Sequence, residues 1–237
     1  MKRDDLKVKI FADGADAESI FQFAKLPYVK GITTNPSLMR QAGVVDYKKF
    51  MEKILNVVQD IPVSFEVFAD DMEGMYRQAT EISKFGANVY VKIPIVNSKG
   101  ESTAEVISSL GKDNVPLNVT AIMSTEQVED LLINIVENQS LILSIFAGRI
   151  ADTGRDACAV VQSSVGLVKE LRNTEVLWAS TREVYNVIQA EEAGCQIITM
   201  TYALIKKLDL LGKNLNDYSR ETAEMFYSDA VNSGYKI

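Results

Sequence analysis

Histidine is absent from this chain of 237 residues, which has only two cysteines and one tryptophan. Without histidine, the Ser-His and Cys-His nucleophile systems, histidine-ligated zinc and a histidine general base are all excluded. Chemistry must come from Lys, Asp, Glu, Tyr, Ser, Thr or Arg. Cys158 and Cys195 show neither metal-ligand spacing nor a disulfide framework, so we expect buried structural thiols in a reducing compartment.

Long apolar runs and a basic surface are also lacking. No run of about eighteen apolar residues occurs, which a membrane helix would need, and the N-terminal MKRDDLKVKIF has no features of a secretory signal. The formal net charge of -7 argues against nucleic acid or an anionic membrane as a partner. We therefore expect a soluble cytoplasmic protein that binds neither.

Short apolar segments of strand type recur eight times, and amphipathic segments of helix type lie between them. The strand candidates are Val8–Ala12, Val29–Thr33, Val63–Phe68, Asn88–Ile93, Pro116–Thr120, Leu141–Phe146, Val176–Ala179 and Gln196–Met200. Met72–Phe85 and Glu126–Glu137 are two of the helix candidates. Eight such units in roughly 250 residues, without a Gly/Pro-rich linker, predict an α/β fold, a single (β/α)8 TIM barrel over 1–237. A doubly wound open sheet is the alternative, but it usually carries a glycine loop for phosphate, and none is present.

An extra helix is predicted after the eighth strand, over about 215–233. The segment Leu215–Ser233 carries Tyr218, Met225 and Phe226 at helical spacing. Such a helix needs a partner surface, which is either its own barrel or a neighbouring subunit, and the sequence does not choose between them.

Lys92 occupies an alternating position of the fourth strand candidate. Val91 and Ile93 define one face, which sends Tyr90 and Lys92 to the other, into the barrel. Burial disfavours the charged form of an amine, and a neutral lysine can attack a carbonyl carbon to form an imine. The alternative is an edge-strand lysine that extends to solvent. The rest of the chain favours the first interpretation.

Polar side chains share the inward phase near the C-terminal ends of the other strands, where TIM barrels carry their active sites. They are Asp13, Thr33, Asn35, Glu66, Asn118, Thr120, Ser144 and Ser180, joined by the aromatic Phe146. Each alone has an ordinary explanation as a helix cap, a turn residue or a strand residue bonded to backbone. In a barrel interior filled with packed side chains, this many polar groups around one lysine would lack hydrogen-bond partners. We therefore interpret them together as a functional site.

Two arginines follow the sixth and seventh strands. Arg149 lies three residues after Phe146, and Arg182 lies two residues after Ser180. Paired guanidinium groups can bind phosphate oxygens, and phosphate sites of barrels often use these late loops. The alternative is a surface arginine paired with a nearby acid, either Asp152 or Glu183.

In these residues the chain resembles the transaldolase family, from Phe11 to about Met200. The matching segments, in the family's order, are Ala12-Asp13 with Asp16, Gly31-Ile32-Thr33-Thr34-Asn35-Pro36-Ser37-Leu38, Glu66-Val67, Val91-Lys92-Ile93-Pro94, Asn118-Val119-Thr120, Ser144-Ile145-Phe146-Ala147-Gly148-Arg149-Ile150 and Ala179-Ser180-Thr181-Arg182. The TTNPSL and GRI runs are specific signals. The chain departs from the family at Gly14, where threonine is common, at Ile145, where proline is common, and over Ile95-Val96-Asn97-Ser98.

The resemblance implies a role for each site residue and requires no metal or organic cofactor. Lys92 would form the Schiff base, Asp13 would act as acid and base at the C4 hydroxyl, and Glu66 with Thr120 would hold a catalytic water. The residues implied in substrate binding are Asn35, Asn118 and Ser144 at the dihydroxyacetone unit, Arg149, Ser180 and Arg182 at the phosphate, and Thr33 and Phe146 as further contacts.

Short members of this family include transaldolases and fructose-6-phosphate aldolases, and the latter release free dihydroxyacetone. The aldolases resemble transaldolases with Gln in place of Glu66, Tyr in place of Phe146 and Lys in place of Arg182, and all three positions here follow transaldolase. The resemblance therefore implies transfer of dihydroxyacetone between sugar phosphates, as in the pentose phosphate pathway. It also implies a homo-oligomer, since short members commonly form rings through a C-terminal helix. A sugar-phosphate isomerase or epimerase and a binding protein without turnover are the alternatives.

Overall fold

The computed structural model describes residues 2–236, and its eight strands are all parallel and close into a barrel in chain order. They are β1 Lys9–Asp13, β2 Val29–Thr33, β3 Val63–Glu66, β4 Val89–Pro94, β5 Leu117–Ile122, β6 Leu141–Ile145, β7 Thr174–Trp178 and β8 Ile197–Thr201. The predicted (β/α)8 barrel is confirmed, and the open sheet is wrong, because β1 pairs with both β2 and β8.

Helices follow the strands and cover the outside of the barrel. They are α1 Ala17–Ala24, α2 Pro36–Gln41, α3 Tyr47–Leu55, α4 Met72–Ser83, α5 Ala104–Lys112, α6 Thr125–Leu132, α7 Ala147–Asp152, α8 Ala157–Val168, α9 Tyr185–Glu192, α10 Tyr202–Ile205 and α11 Leu215–Ser233, with short 3-10 helices at Arg3–Asp5 and Lys206–Leu210. Several begin at Asp or Asn residues whose side chains accept a hydrogen bond from the first turn, as Asp71 does before α4.

Two apolar layers hold these elements together. The larger one lies between strands and helices and includes Val91 and Ile93 of β4. A smaller cluster of Phe11, Ile142 and Leu177, with the Tyr90 ring against it, fills the barrel interior. Residues along each strand alternate between these two layers. The polar residues that point inward near the C-terminal ends of the strands therefore face one common space at the mouth of the barrel.

The C-terminal helix α11 begins and ends at the predicted residues. The Asn214 side chain accepts hydrogen bonds from the backbone N–H groups of Asn216 and Asp217, and Gly234 ends the helix in the left-handed conformation, with φ +65°. None of the residues of Leu215–Ser233 is buried, and the Phe226 side chain is 63% exposed. Between residues 2 and 236 the structure has no helix with the length and apolarity to cross a membrane.

Candidate active site

A cavity of about 520 Å³ opens at the C-terminal ends of the strands. Eleven of the twelve site residues that the sequence predicts line it: Asp13, Thr33, Asn35, Glu66, Lys92, Thr120, Ser144, Phe146, Arg149, Ser180 and Arg182. They come from seven of the eight strands or the loops that follow them, so the barrel brings together residues as far apart in the chain as Asp13 and Arg182. The twelfth, Asn118, lies beneath the cavity surface.

Lys92 points into the barrel and is buried, with 6% of its surface exposed. Its Nζ lies 3.2 Å from Glu66 Oε2 and donates a hydrogen bond of 2.8 Å to the Thr34 carbonyl. Glu66 and Lys92 are paired in register on β3 and β4, so strand pairing itself holds the two side chains together. The alternative of an edge-strand lysine is therefore wrong.

Thr120 lies within a break in the β5–β6 register, which shifts between Val119 and Ile122. Ala121, at this break, has the left-handed φ of +61°, unusual for a residue other than glycine. Thr120 Oγ1 is buried, and within residues 2–236 it has no hydrogen-bond partner. Such a hydroxyl costs on the order of 1–3 kcal/mol unless a water or a ligand satisfies it. Thr120 therefore offers a polar contact to an occupant of the cavity.

Asp13 ends β1 and accepts a 2.8 Å hydrogen bond from Thr33 Oγ1. Thr33 Oγ1 in turn lies 2.6 Å from Thr199 Oγ1 on β8. Burial raises the pKa of Asp13 and the Glu66 charge adds to this, while the Lys92 charge and the Thr33 hydroxyl oppose it. A carboxyl held in this way takes up a proton more readily than an ordinary aspartate, which suits a group that must both accept and return one.

Asn118 is fully buried and belongs to a chain of three side chains below the cavity. Its Nδ2 donates to Ser64 Oγ at 3.1 Å, and its Oδ1 accepts from Ser144 Oγ at 2.6 Å. Ser144 lines the cavity, whereas Ser64 does not. Sequence reasoning did not single out Ser64 or Thr199, although both share the inward phase of their strands.

Asn35 serves both as a helix cap and as a wall of the cavity. Its Oδ1 accepts a 3.0 Å hydrogen bond from the Leu38 N–H at the start of α2, and Pro36 occupies the first helical position. Asn35 is therefore a helix cap, as its ordinary explanation holds, and it also lines the cavity.

The two arginines lie at the rim. The Arg149 guanidinium carbon is 5.2 Å from the centroid of the Phe146 ring, and the Arg182 guanidinium is bonded to the Asp152 carboxylate. The Asp152 pairing that competed with a phosphate role is thus present, and Arg182 lines the cavity as well. Because the Arg182 and Asp152 side chains are 51% and 56% exposed, the pair is weakly held.

A close backbone approach joins the start of α7, which carries Arg149, to the loop after β7, which carries Arg182. Ser180 has a left-handed φ of +62°, and a Cβ atom added to Gly148 would lie 1.7 Å from the Ser180 carbonyl oxygen. Only glycine fits at position 148 with this backbone. The junction therefore sets the spacing of Arg149 and Arg182.

The closed barrel and the lysine buried beside the Glu66 carboxylate in its cavity define a TIM-barrel protein with a polar site at the C-terminal ends of its strands. The chain belongs to the transaldolase/fructose-6-phosphate aldolase family, since a family model described as "Transaldolase/Fructose-6-phosphate aldolase" matches residues 10–234. A protein of Dehalococcoides mccartyi named "Probable transaldolase" is 35% identical over 202 residues, covering 85% of this chain and 90% of that one. Another of the same name, from a Thermoanaerobacter species, is 31% identical over 231 residues, covering 97% and 100%.

Solved structures show likeness in the fold alone. Dihydrodipicolinate synthase from Rhodopseudomonas palustris superposes with a TM-score of 0.58 at 14% identity, covering 98% of this chain and 82% of that one. A monomeric dihydrodipicolinate synthase variant superposes with a TM-score of 0.59 at 15% identity, covering 94% and 79%.

Proposed function

We propose that this protein is a transaldolase that transfers a dihydroxyacetone unit between sugar phosphates through a Schiff base on Lys92. The observation that carries the proposal is the position of Lys92, buried in the cavity with its Nζ 3.2 Å from a Glu66 carboxylate oxygen. Membership of the family and relatives named "Probable transaldolase" support it.

The first half of the reaction forms the imine. The Lys92 amine attacks the C2 ketone of a ketose phosphate, and the carbinolamine that results loses its oxygen as water. Glu66 is in reach of Nζ to take and return the protons, through a water that the unpartnered Thr120 hydroxyl would help to hold. The cationic imine then accepts the electron pair of the bond that breaks.

The second half cleaves and remakes a carbon–carbon bond. Asp13 removes the proton of the C4 hydroxyl, the C3–C4 bond breaks, and an aldose phosphate leaves. The three-carbon enamine stays on Lys92, held by Asn35 and Ser144, until its C3 attacks the carbonyl carbon of a second aldose phosphate. Asp13 then returns the proton to the new hydroxyl, and hydrolysis of the imine releases the product.

Transfer is favoured over release by three side chains. Glu66, Phe146 and Arg182 occupy the positions at which the related aldolases differ, and Phe146 has no polar group with which to hold a water in the cavity wall. Without a water positioned there, the enamine persists until the acceptor arrives. This supports a transferase rather than a fructose-6-phosphate aldolase.

Borohydride reduction tests the Schiff base. With fructose 6-phosphate and borohydride we expect a permanent mass increase on the peptide that contains Lys92, and none in the Lys92→Met variant. Lys9→Met is the control, because Lys9 pairs with Glu175 and does not line the cavity. Absence of the adduct in the parent would favour an isomerase or epimerase with Asp13 or Glu66 as its base.

The phosphate site has a separate test. Arg149→Ala or Arg182→Ala should raise KM for phosphorylated ketoses by roughly tenfold or more, because each removes a charge-assisted contact, and should hardly affect unphosphorylated ketoses. Arg155→Ala is the control, since Arg155 is exposed on the following loop and does not line the cavity. Equal losses on both substrate types would assign the two arginines to the fold.

The proposal includes a homo-oligomer assembled through α11 and a cytoplasmic location. Exposed Tyr218, Met225 and Phe226 on a helix without buried residues support an interface there. The free thiols of Cys158 and Cys195 fit a reducing compartment. Light scattering on the purified protein measures the assembly.

A further inference from the structure

We propose that Ser64 is a positioning residue that orients the Asn118 amide beneath Lys92, and through it the three-carbon unit of the substrate. The inference rests on the proposed function, because it concerns the unit that the Schiff base would hold. Ser64 lies outside the cavity surface and outside the motifs that point to the family.

The geometry places Ser64 and Asn118 on either side of the strand that carries Lys92. In the barrel, β3 and β5 flank β4, with Ser64 in register with Tyr90 and Asn118 in register with Lys92. The hydrogen bond from Asn118 Nδ2 to Ser64 Oγ therefore crosses β4 on the inner side of the barrel, between the levels of Tyr90 and Lys92. Ser64 and Asn118 are both completely buried.

The chemistry of the amide makes this contact directional. Ser144 donates to Asn118 Oδ1 on one side, and Asn118 donates to Ser64 on the other, so both ends of the amide are engaged. An asparagine NH2 group has two N–H bonds, and only one of them is used in residues 2–236. With the amide plane held by two serines, the direction of the second N–H is fixed, and in this proposal that N–H is the donor to the three-carbon unit.

The backbone of Ser64 is held independently of its side chain. Its carbonyl accepts hydrogen bonds from the Thr34 N–H, at 3.1 Å, and from Thr34 Oγ1, at 2.9 Å. Replacement of Ser64 by alanine thus removes one hydroxyl and leaves these strand contacts in place. The Asn118 amide loses the partner that fixes its rotation.

A double-mutant cycle on donor turnover tests the inference. Ser64→Ala should lower kcat/KM for the ketose phosphate about tenfold, as expected for one lost hydrogen bond at the reacting layer, without changing KM for the aldose acceptor. Asn118→Ala should lower it more, and the double variant should be no worse than Asn118→Ala alone, because Ser64 acts through that amide. Ser164→Ala is the matched control: Ser164 is also fully buried, its hydroxyl donates to the Val160 carbonyl on α8, and its loss should leave kcat/KM unchanged.

Each other outcome contradicts the inference. Additive losses in the double variant, or a loss of thermal stability with unchanged kcat/KM, would make Ser64 a structural residue only. If Ser64→Ala does not fold, Ser64→Cys takes its place in the cycle, since a thiol is a weaker acceptor of similar shape, and a smaller coupled loss is expected. Borohydride trapping on the parent separates the two proposals: an adduct with additive losses overturns the role of Ser64 alone, and no adduct overturns the Schiff base and the role of Ser64 with it.

Discussion

Asp13 illustrates at the scale of one residue how a site is maintained at the expense of stability. Burial raises the pKa of Asp13, so the native state binds its proton more readily than the unfolded chain does. The contribution of such a group to stability is fully present below the unfolded pKa and is lost as pH rises through the folded pKa. At neutral pH, above the ordinary aspartate pKa, Asp13 therefore contributes less to stability than it does in acid.

We predict that Asp13→Asn raises the Tm at neutral pH by a few degrees while carbon–carbon cleavage is lost. The gain should shrink as pH falls toward 3.8, the ordinary aspartate value, because the native carboxyl then becomes protonated. Thermal unfolding of both proteins across this pH range measures the effect. Asp16→Asn is the control of opposite sign: hydrogen bonds from Ser19 lower the pKa of Asp16, so its contribution is present at neutral pH and lost in acid. A Tm for Asp13→Asn below that of the parent at neutral pH would refute the prediction.

A second prediction at this scale concerns Phe146 and the balance between transfer and release. We expect transfer to an aldose phosphate to exceed release of dihydroxyacetone by at least about tenfold, equivalent to roughly 1.4 kcal/mol between the two barriers. Phe146→Tyr should narrow that gap, since a phenol in the cavity wall can position a water, and Glu66→Gln in addition should narrow it further.

The measurement is dihydroxyacetone formed from fructose 6-phosphate, with and without erythrose 4-phosphate. Phe68→Tyr serves as the control, because Phe68 is half exposed, packs on Tyr47 and does not line the cavity. Rapid release over many turnovers by the parent itself would assign the chain to the aldolases.

Residue alternation explains which site residues the sequence could predict. Side chains of a strand point alternately to its two faces, so the apolar neighbours of Lys92 were enough to predict that its side chain points into the barrel. Depth along the barrel has no such signature, so the sequence did not show that Asn118 lies beneath the cavity surface while Ser144 lines it. The Arg182–Asp152 pair depends on how the loop after β7 meets α7, which spacing along the chain does not encode.

At the scale of elements, the contact between the start of α7 and the β7–α9 loop constrains the site most tightly. We predict that Gly148→Ala lowers kcat/KM for phosphorylated substrates on the order of a hundredfold, because the new Cβ would overlap the Ser180 carbonyl and displace α7 and the β7–α9 loop, which carry Arg149 and Arg182. Gly166→Ala is the control, since a Cβ at that position in α8 meets open space and alanine favours a helix by about 1 kcal/mol. Steady-state kinetics and thermal unfolding of both variants check this. A Gly148→Ala enzyme with parental kinetics would show that the junction does not position the arginines.

Element boundaries depart from the sequence prediction where local geometry interrupts a regular pattern. Strand β5 continues through Ala121 to Ile122 because a left-handed residue at a bulge extends it past the predicted end at Thr120. Helix α6 ends at Leu132 rather than Glu137, since Asn138 has a φ of +62° and the Gln139 side chain accepts from the Val136 N–H, which closes a turn. Apolar periodicity carries no information on either feature.

At the scale of the whole molecule, α11 is the element that the barrel does not explain. The sheet closes from β1 to β8 without it, and no residue of Leu215–Ser233 is buried. In proteins most of the stability of a helix comes from packing of an apolar face, which this helix of 19 residues lacks in the single chain. Tyr218, Met225 and Phe226 lie on one side of α11, together with Asp229, while Asp217, Glu221 and Glu224 lie on another. The three large side chains of the first side fit an apolar surface, and a second copy of the chain supplies one by symmetry.

We therefore predict that Phe226→Glu reduces the assembled mass toward that of a single chain, because the new charge would be buried without a partner in the interface. Ser228→Glu adds the same charge to the same helix on its acidic side and should leave the assembly unchanged. Light scattering during size-exclusion chromatography measures the mass of each variant, and borohydride trapping on Lys92 reports whether the barrel remains competent. Since every cavity residue belongs to one barrel, we expect dissociated Phe226→Glu protein to form the adduct as the parent does. A parent that elutes as a single chain, or a Phe226→Glu variant that keeps the full assembled mass, would place the interface elsewhere or remove it altogether.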